Sequence, residues 1–201
     1  MKKTGFLMMV AVALTAVSCS TEAEEGKEVT YTLDQTNSSI NWKGGMSAEY
    51  FHTGTVQFSK GSIAMAGEEL KSGSFTIDMN SIDDNSLEAP KSNYLSGHLM
   101  GTMPDEDHPV NMFFNTPDFP NATVTLGAYK EGGLEITLNV IGISITQNVD
   151  ATLSVNETGA SIKGSFSLDL ASMNAPGFET QADGSAISSL IEFDVEVLFT
   201  K

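Results

Sequence analysis

From Val29 to Phe199 apolar and polar residues alternate with period two in run after run, and that pattern excludes most folds. Successive side chains of a strand point to opposite faces, so alternation marks a strand with one buried and one wet face. Val29, Tyr31 and Leu33 alternate with Thr30, Thr32 and Asp34, and the turn-prone Gln35-Thr36-Asn37 leads on to Ile40 and Trp42. Two strands joined by a tight connection are expected there. His52, Gly54, Val56 and Phe58 share a face, after which Ser59-Lys60-Gly61 reads as a hairpin turn into Ile63 and Met65. The run GSFTIDMNSI sets Phe75, Ile77 and Met79 against Thr76, Asp78 and Asn80. Beyond Phe119 come Val124 and Leu126, then Leu134, Ile136, Leu138 and Val140, and Gly142 predicts a bulge or bend before Ile143 and Ile145. Val149 to Val155 and Ile162 to Leu170 flank an Asn156 to Gly159 turn. The last run turns Ile191, Phe193, Val195, Val197 and Phe199 inward and Glu192, Asp194 and Glu196 outward.

The period breaks at Asp83-Asp84-Asn85, and between Tyr94 and Thr123 it gives way altogether. Leu87 to Met100 carries Tyr94, Leu95 and Leu99 at roughly helical spacing with Pro90 near the first turn, which predicts a short helix. A Met-rich stretch and the pair Phe113-Phe114 follow. The expectation is an all-β domain of eight or nine antiparallel strands, with this helix and loop insertion placed over its mouth. A barrel of about eight strands is either filled by its own side chains or holds one small ligand. Alternation alone does not choose between a barrel and a two-sheet sandwich.

Upstream of the strands, Lys2 and Lys3 precede an apolar run from Gly5 to Val17, the pattern of a secretory signal too short to span a bilayer. Cys19 is the only cysteine, so no intramolecular disulfide can form. It directly follows Ala16-Val17-Ser18, which resembles the lipobox of bacterial lipoproteins, and cleavage would leave a lipidated Cys19 as the new N-terminus. Three segments are therefore expected: a signal at 1–18, Cys19 with a flexible acidic tether at 19–28, and one domain at 29–201. Ser20, where inner-membrane retention favours Asp, points to the outer membrane of a bacterial envelope, on its periplasmic side or at the surface.

Loss of residues 1–18 removes two lysines, leaving 8 lysines, no arginine and 26 acids, a formal charge of −18. Such a surface repels nucleic acid and anionic headgroups. Three histidines, His52, His98 and His108, are too few and scattered for a metal motif, and His52 and His98 read as bonded to backbone near the mouth. The acids Asp105, Glu106 and Asp107 lack the spacing of a calcium loop, and no hydrolase elbow, P-loop or Cys-x-x-Cys occurs. No cofactor is called for.

Taken in order, YTLDQTNSSINWKG, His52-Thr53-Gly54, GSFTIDMNSI, His98-Leu99, FFNTPDFPNATVTL, LEITLNVIGIS and the amphipathic last strand resemble the YceI-like family of bacterial secreted lipid-binding proteins. The resemblance implies an antiparallel eight-stranded, lipocalin-like up-and-down barrel around a long apolar channel for a polyisoprenoid or related amphiphile, in a binding or carrier protein rather than an enzyme. The ligand-binding residues it points to are His52, Phe75, Ile77, Met79, Tyr94, His98, Leu99, Phe113, Phe114, Leu138, Val140, Phe166, Leu168, Phe193 and Val195. Met100 to Met112 is an insertion relative to the family pattern, Ser144-Ile145-Thr146 replaces threonine-lysine-proline, and Leu170 stands where a basic residue is usual. Phosphate recognition ordinarily uses Lys or Arg, so their absence favours a neutral headgroup such as a quinone. The rival expectation is an envelope adhesion or scaffold domain whose inward rows form packed core with no ligand.

Overall fold

A computed structural model describes residues 27–45, 47, 49–103, 112–130, 133–171, 173, 176–177 and 188–201. The signal, Cys19, and the loop with Asp105, Glu106, Asp107 and His108 lie outside the described residues. The chain runs β1 (Glu28–Leu33), β2 (Ser39–Gly45), β3 (Phe51–Ala66), β4 (Glu69–Asp84), α1 (Lys91–Met100), β5 (Asn121–Lys130), β6 (Gly133–Val140), β7 (Ile143–Val155), β8 (Gly159–Asp169) and β9 (Leu190–Thr200). From β3 to β9 each strand pairs antiparallel with the next, and β9 returns to both β1 and β2. The sheet therefore closes on itself, which decides for a barrel over a sandwich.

Nine strands make only eight staves. β1 lies against Ser62–Ala66 of β3 and β2 against Phe51–Val56 of the same strand, so the two stand end to end as one interrupted stave. Their short connection does not make a hairpin. The Asp34 carboxylate accepts bonds from the backbone N–H groups of Thr36 and Asn37 and from the Asn37 amide, while Ser38 Oγ donates to the Asp34 carbonyl and accepts from Leu198 N. This Asx-type turn kinks the stave without reversing it. The bond from the Asn37 side chain, with the backbone bonds behind it, holds the Asp34 carboxyl below its ordinary range.

The hairpin expected at Ser59-Lys60-Gly61 is absent, because β3 runs unbroken through it for 16 residues. The turn residues become an irregularity, with the register against β4 shifting between Phe58 and Lys60, and Gln35 Nε2 donates to the Ser59 carbonyl. Gly61 is required there, since a Cβ would sit 2.5 Å from the Phe75 ring. Pairing with β4 on one edge, continued by β2 and β1 before and after the segment on the other, outweighs the local preference for a turn. The chain reverses instead at Gly67, with φ of +63°.

A second irregularity has functional weight. Gln57 pairs with Asp78 but Thr55 pairs with Asp83, so β4 carries extra residues between them. The bulge is closed by Asn80 N–H donating to Asp78 Oδ1, Ser81 Oγ donating to the Asp78 carbonyl, and Gln57 N–H donating to Ser81 Oγ. It switches the buried parity, from Phe75 and Met79 before it to Ile82 and Asp84 after it. The bend expected at Gly142 is a two-residue hairpin, Ile141 and Gly142 both having positive φ, which matches the twist of the strands it joins. Gly142→Ala should cost about 1–2 kcal/mol, because φ is +77° and the new Cβ would press on Phe119 at 3.2 Å. A fall in the urea midpoint with unchanged slope is the expected readout.

One pole of the barrel is packed solid by Tyr31, Ile63, Met65 and Phe199, all buried, with the Phe75 ring centroid 5.7 Å from that of Phe199. β1 begins at this pole, where Val29 pairs with Met65. At the other pole α1 packs on β4, the β6–β7 hairpin turns, and β2 and β8 end where β3 and β9 begin.

Candidate functional site

Between the packed pole and α1 lies a cavity of about 310 Å3, within the ~300–1,000 Å3 usual for small-molecule sites. Every stave of the barrel contributes to its wall, as do Leu95, His98 and Leu99 of α1 and the Phe113-Phe114 pair. Of the residues singled out from the sequence, His52, Phe75, Ile77, Met79, His98, Leu99, Phe113, Phe114, Leu138, Val140, Phe166, Leu168, Phe193 and Val195 stand on that wall. Tyr94 does not. It is half exposed on α1 and stacks on His98 from outside the cavity, because the helix turns only the Leu95, His98 and Leu99 side toward the barrel.

The cover over the mouth is stitched by backbone bonds. α1 follows Pro90 and ends at Gly101, whose left-handed φ of +73° lets its N–H reach the His98 carbonyl. Phe114 N–H donates to the Leu99 carbonyl, Thr116 N–H to Met100, and Phe113 N–H to Pro176. Phe113 is thereby fully buried, with its ring against His98 at 4.9 Å between centroids. A Cβ on Gly177 would approach that ring within 3.0 Å, so the glycine lets the chain close over it. Of the methionines in the Met-rich stretch, Met100 and Met112 pack partly buried against the core, whereas Met103 is exposed.

The wall is almost wholly aliphatic and aromatic. Among the described residues its polar side chains are Trp42, Tyr50, His52 and His98, and no lysine lines it. Trp42 Nε1 donates to the Thr55 carbonyl. Lys43, one residue along, points outward to Glu192 at 3.2 Å. Gln147 also faces inward, opposite Ile136, with its Nε2 buried and unpartnered, but it stands off the cavity wall.

At the rim His52 is held differently from the sequence expectation of a backbone bond. Its Nδ1 meets Ser86 Oγ at 2.9 Å, and Ser86 Oγ donates to Asp84 Oδ1 at 2.6 Å. The Asp84 side chain has no exposed surface and lies 3.8 Å from His52 Nδ1. Backbone N–H groups of Ser86 and Leu87 donate to its two oxygens, and its own N–H donates to Ser96 Oγ on α1. In the sequence Asp83-Asp84-Asn85 marks only a break in the period, and the bulge in β4 turns one of the two aspartates inward. Among the described residues no cluster of His, Cys, Asp and Glu could hold a metal ion.

The YceI-like domain family matches residues 31–199. Among solved structures, Burkholderia cenocepacia BcnA superposes with a TM-score of 0.62 at 17% identity, over 83% of this chain and 98% of that one. A polyisoprenoid binding domain from Saccharophagus degradans implicated in plant cell wall breakdown superposes at 0.55 and 18% identity, over 85% and 97%. At such identities the likeness speaks for the fold. No curated protein sequence gives a significant match. With a matched span from the first strand to the last and an eight-stave barrel of the same fold, this chain belongs to the YceI-like domain family.

Proposed function

We propose that this domain binds and carries a long-chain apolar amphiphile, isoprenoid, quinone-like or fatty-acid-like, with a neutral headgroup favoured over a charged one, and does no chemistry on it. The observation that carries this reading is a continuous apolar cavity, closed at one pole and with no lysine among the described residues of its wall. Each methylene buried there adds about 0.8 kcal/mol, so the wall supplies affinity without needing a charged anchor. A structural neighbour described as a polyisoprenoid binding domain supports the ligand class. The histidine at the rim does not argue for hydrolysis. In a nucleophilic triad the serine gives its proton to histidine, whereas Ser86 gives its proton to Asp84.

The chain is read as anchored through a lipidated Cys19 in the bacterial envelope, with the outer membrane favoured by Ser20. The tether then enters the barrel at its packed pole, where β1 starts, and the mouth faces away from the anchor. Protein purified without detergent exchange, extracted with solvent and analysed by mass spectrometry, should release one recurrent lipid in near-stoichiometric amount. An interior that stays empty and takes up no added prenol or quinone would instead favour a scaffold domain with a closed core.

A further inference from the structure

We infer that His52 makes the site selective for a headgroup that donates a hydrogen bond, an alcohol or phenol O–H, over one that only accepts. The inference rests on the carrier reading above and names the headgroup that the reading leaves open. It follows from proton counting along three side chains. Asp84 is fully buried and accepts at both oxygens, from Ser86 N–H and Oγ–H on one and Leu87 N–H on the other. A carboxylate has no proton to give, and the 2.6 Å contact from Ser86 Oγ is the length of a charge-assisted O–H···O bond. The single hydroxyl proton of Ser86 is thus committed to Asp84.

Ser86 Oγ can then only accept at its 2.9 Å contact with His52, so Nδ1 carries the imidazole proton. In the neutral ring Nε2 is left with a lone pair. No bond to Nε2 occurs among the described residues, and His52 is part of the cavity wall at the rim. The imidazole therefore offers a ligand an acceptor. A headgroup O–H satisfies it, while an ether or a carbonyl sets one lone pair against another and leaves a partly buried polar atom without a partner. Ser86 acts through His52 and is a positioning residue.

Geranylgeraniol and its methyl ether share one chain and differ in this proton, and quenching of Trp42, the sole tryptophan and itself on the wall, reports both. At a pH where the imidazole nitrogen-15 spectrum shows His52 neutral, the alcohol should bind about tenfold more tightly. His52→Phe should bring the two affinities together by weakening only the alcohol. The wild-type spectrum should show Nδ1 protonated, and Ser86→Ala should erase that tautomer preference. Equal affinities in the wild type, or an Nε2-protonated ring, overturn the inference while leaving the carrier reading standing. Failure of both compounds, and of an added quinone, to bind overturns the carrier reading itself. The wild-type measurements decide the matter even if a variant does not fold.

Discussion

Replacing Ala122 by Phe should weaken binding of geranylgeraniol roughly 100-fold while leaving the fold intact. Ala122 opens β5 opposite Ile77, is buried, and stands on the cavity wall on the side of the barrel nearest the cover. A phenyl ring there takes the room of about four methylenes, and at 0.8 kcal/mol each the lost burial is about 3 kcal/mol, or a little over 100-fold. The barrel itself has nothing to lose, since the ring enters space that packed side chains do not fill. Thr123, the next residue, points to solvent. Thr123→Phe should leave the affinity within about twofold, since it adds no group to the wall. Phe rather than Trp keeps Trp42 as the only fluorescent reporter. A barrel that binds equally well with Phe at position 122 would mean the chain is not held in this cavity.

The second large effect falls on stability. Gly54 pairs with Trp42 on one side and Asp84 on the other. A Cβ at position 54 would lie 1.9 Å from the Asp83 carbonyl oxygen and 2.4 Å from the Trp42 indole. Neither neighbour is a flexible tip. One is backbone of a paired strand, and the other is a ring held by its bond to the Thr55 carbonyl. Gly54→Ala should therefore cost about 3 kcal/mol, at the upper end for overpacking, and lower the Tm by roughly 6–12 °C. It should also disturb the rim, because Asn85 N–H donates to the Thr53 carbonyl and Asp84 anchors the turn that carries Ser86. A variant with an unchanged urea midpoint would show that the strands yield without cost.

Much of the wall was legible because alternation states which residues share a face. Phe166 and Leu168, or Phe193 and Val195, had to point the same way in any sheet, and their row had to be the buried one. The failures share one cause. Ser59-Lys60-Gly61 has turn chemistry, but pairing of Lys60 and Gly61 with β4, and the bond from Gln35 to the Ser59 carbonyl, keep it extended. Asp83-Asp84-Asn85 shows in the sequence only as a break in the period, because local alternation does not say that a bulge turns Asp84 inward. The resemblance places Tyr94 with the ligand-binding residues, and its helical spacing with Leu95 and Leu99 does not say which side of the helix meets the barrel.

By itself the sequence determined the all-β class, the short helix in the middle, the inward rows and the family pattern. Each of these depends on local periodicity or on ordered motifs along the chain. Tertiary structure alone decided that nine strands make eight staves, that one pole is packed while the other encloses a cavity, and that Asp84, Ser86 and His52 form a chain at the rim. Closure and register are pairings between distant segments. A residue's face is written in its neighbours along the chain, but its partner across the sheet is set by which strands meet.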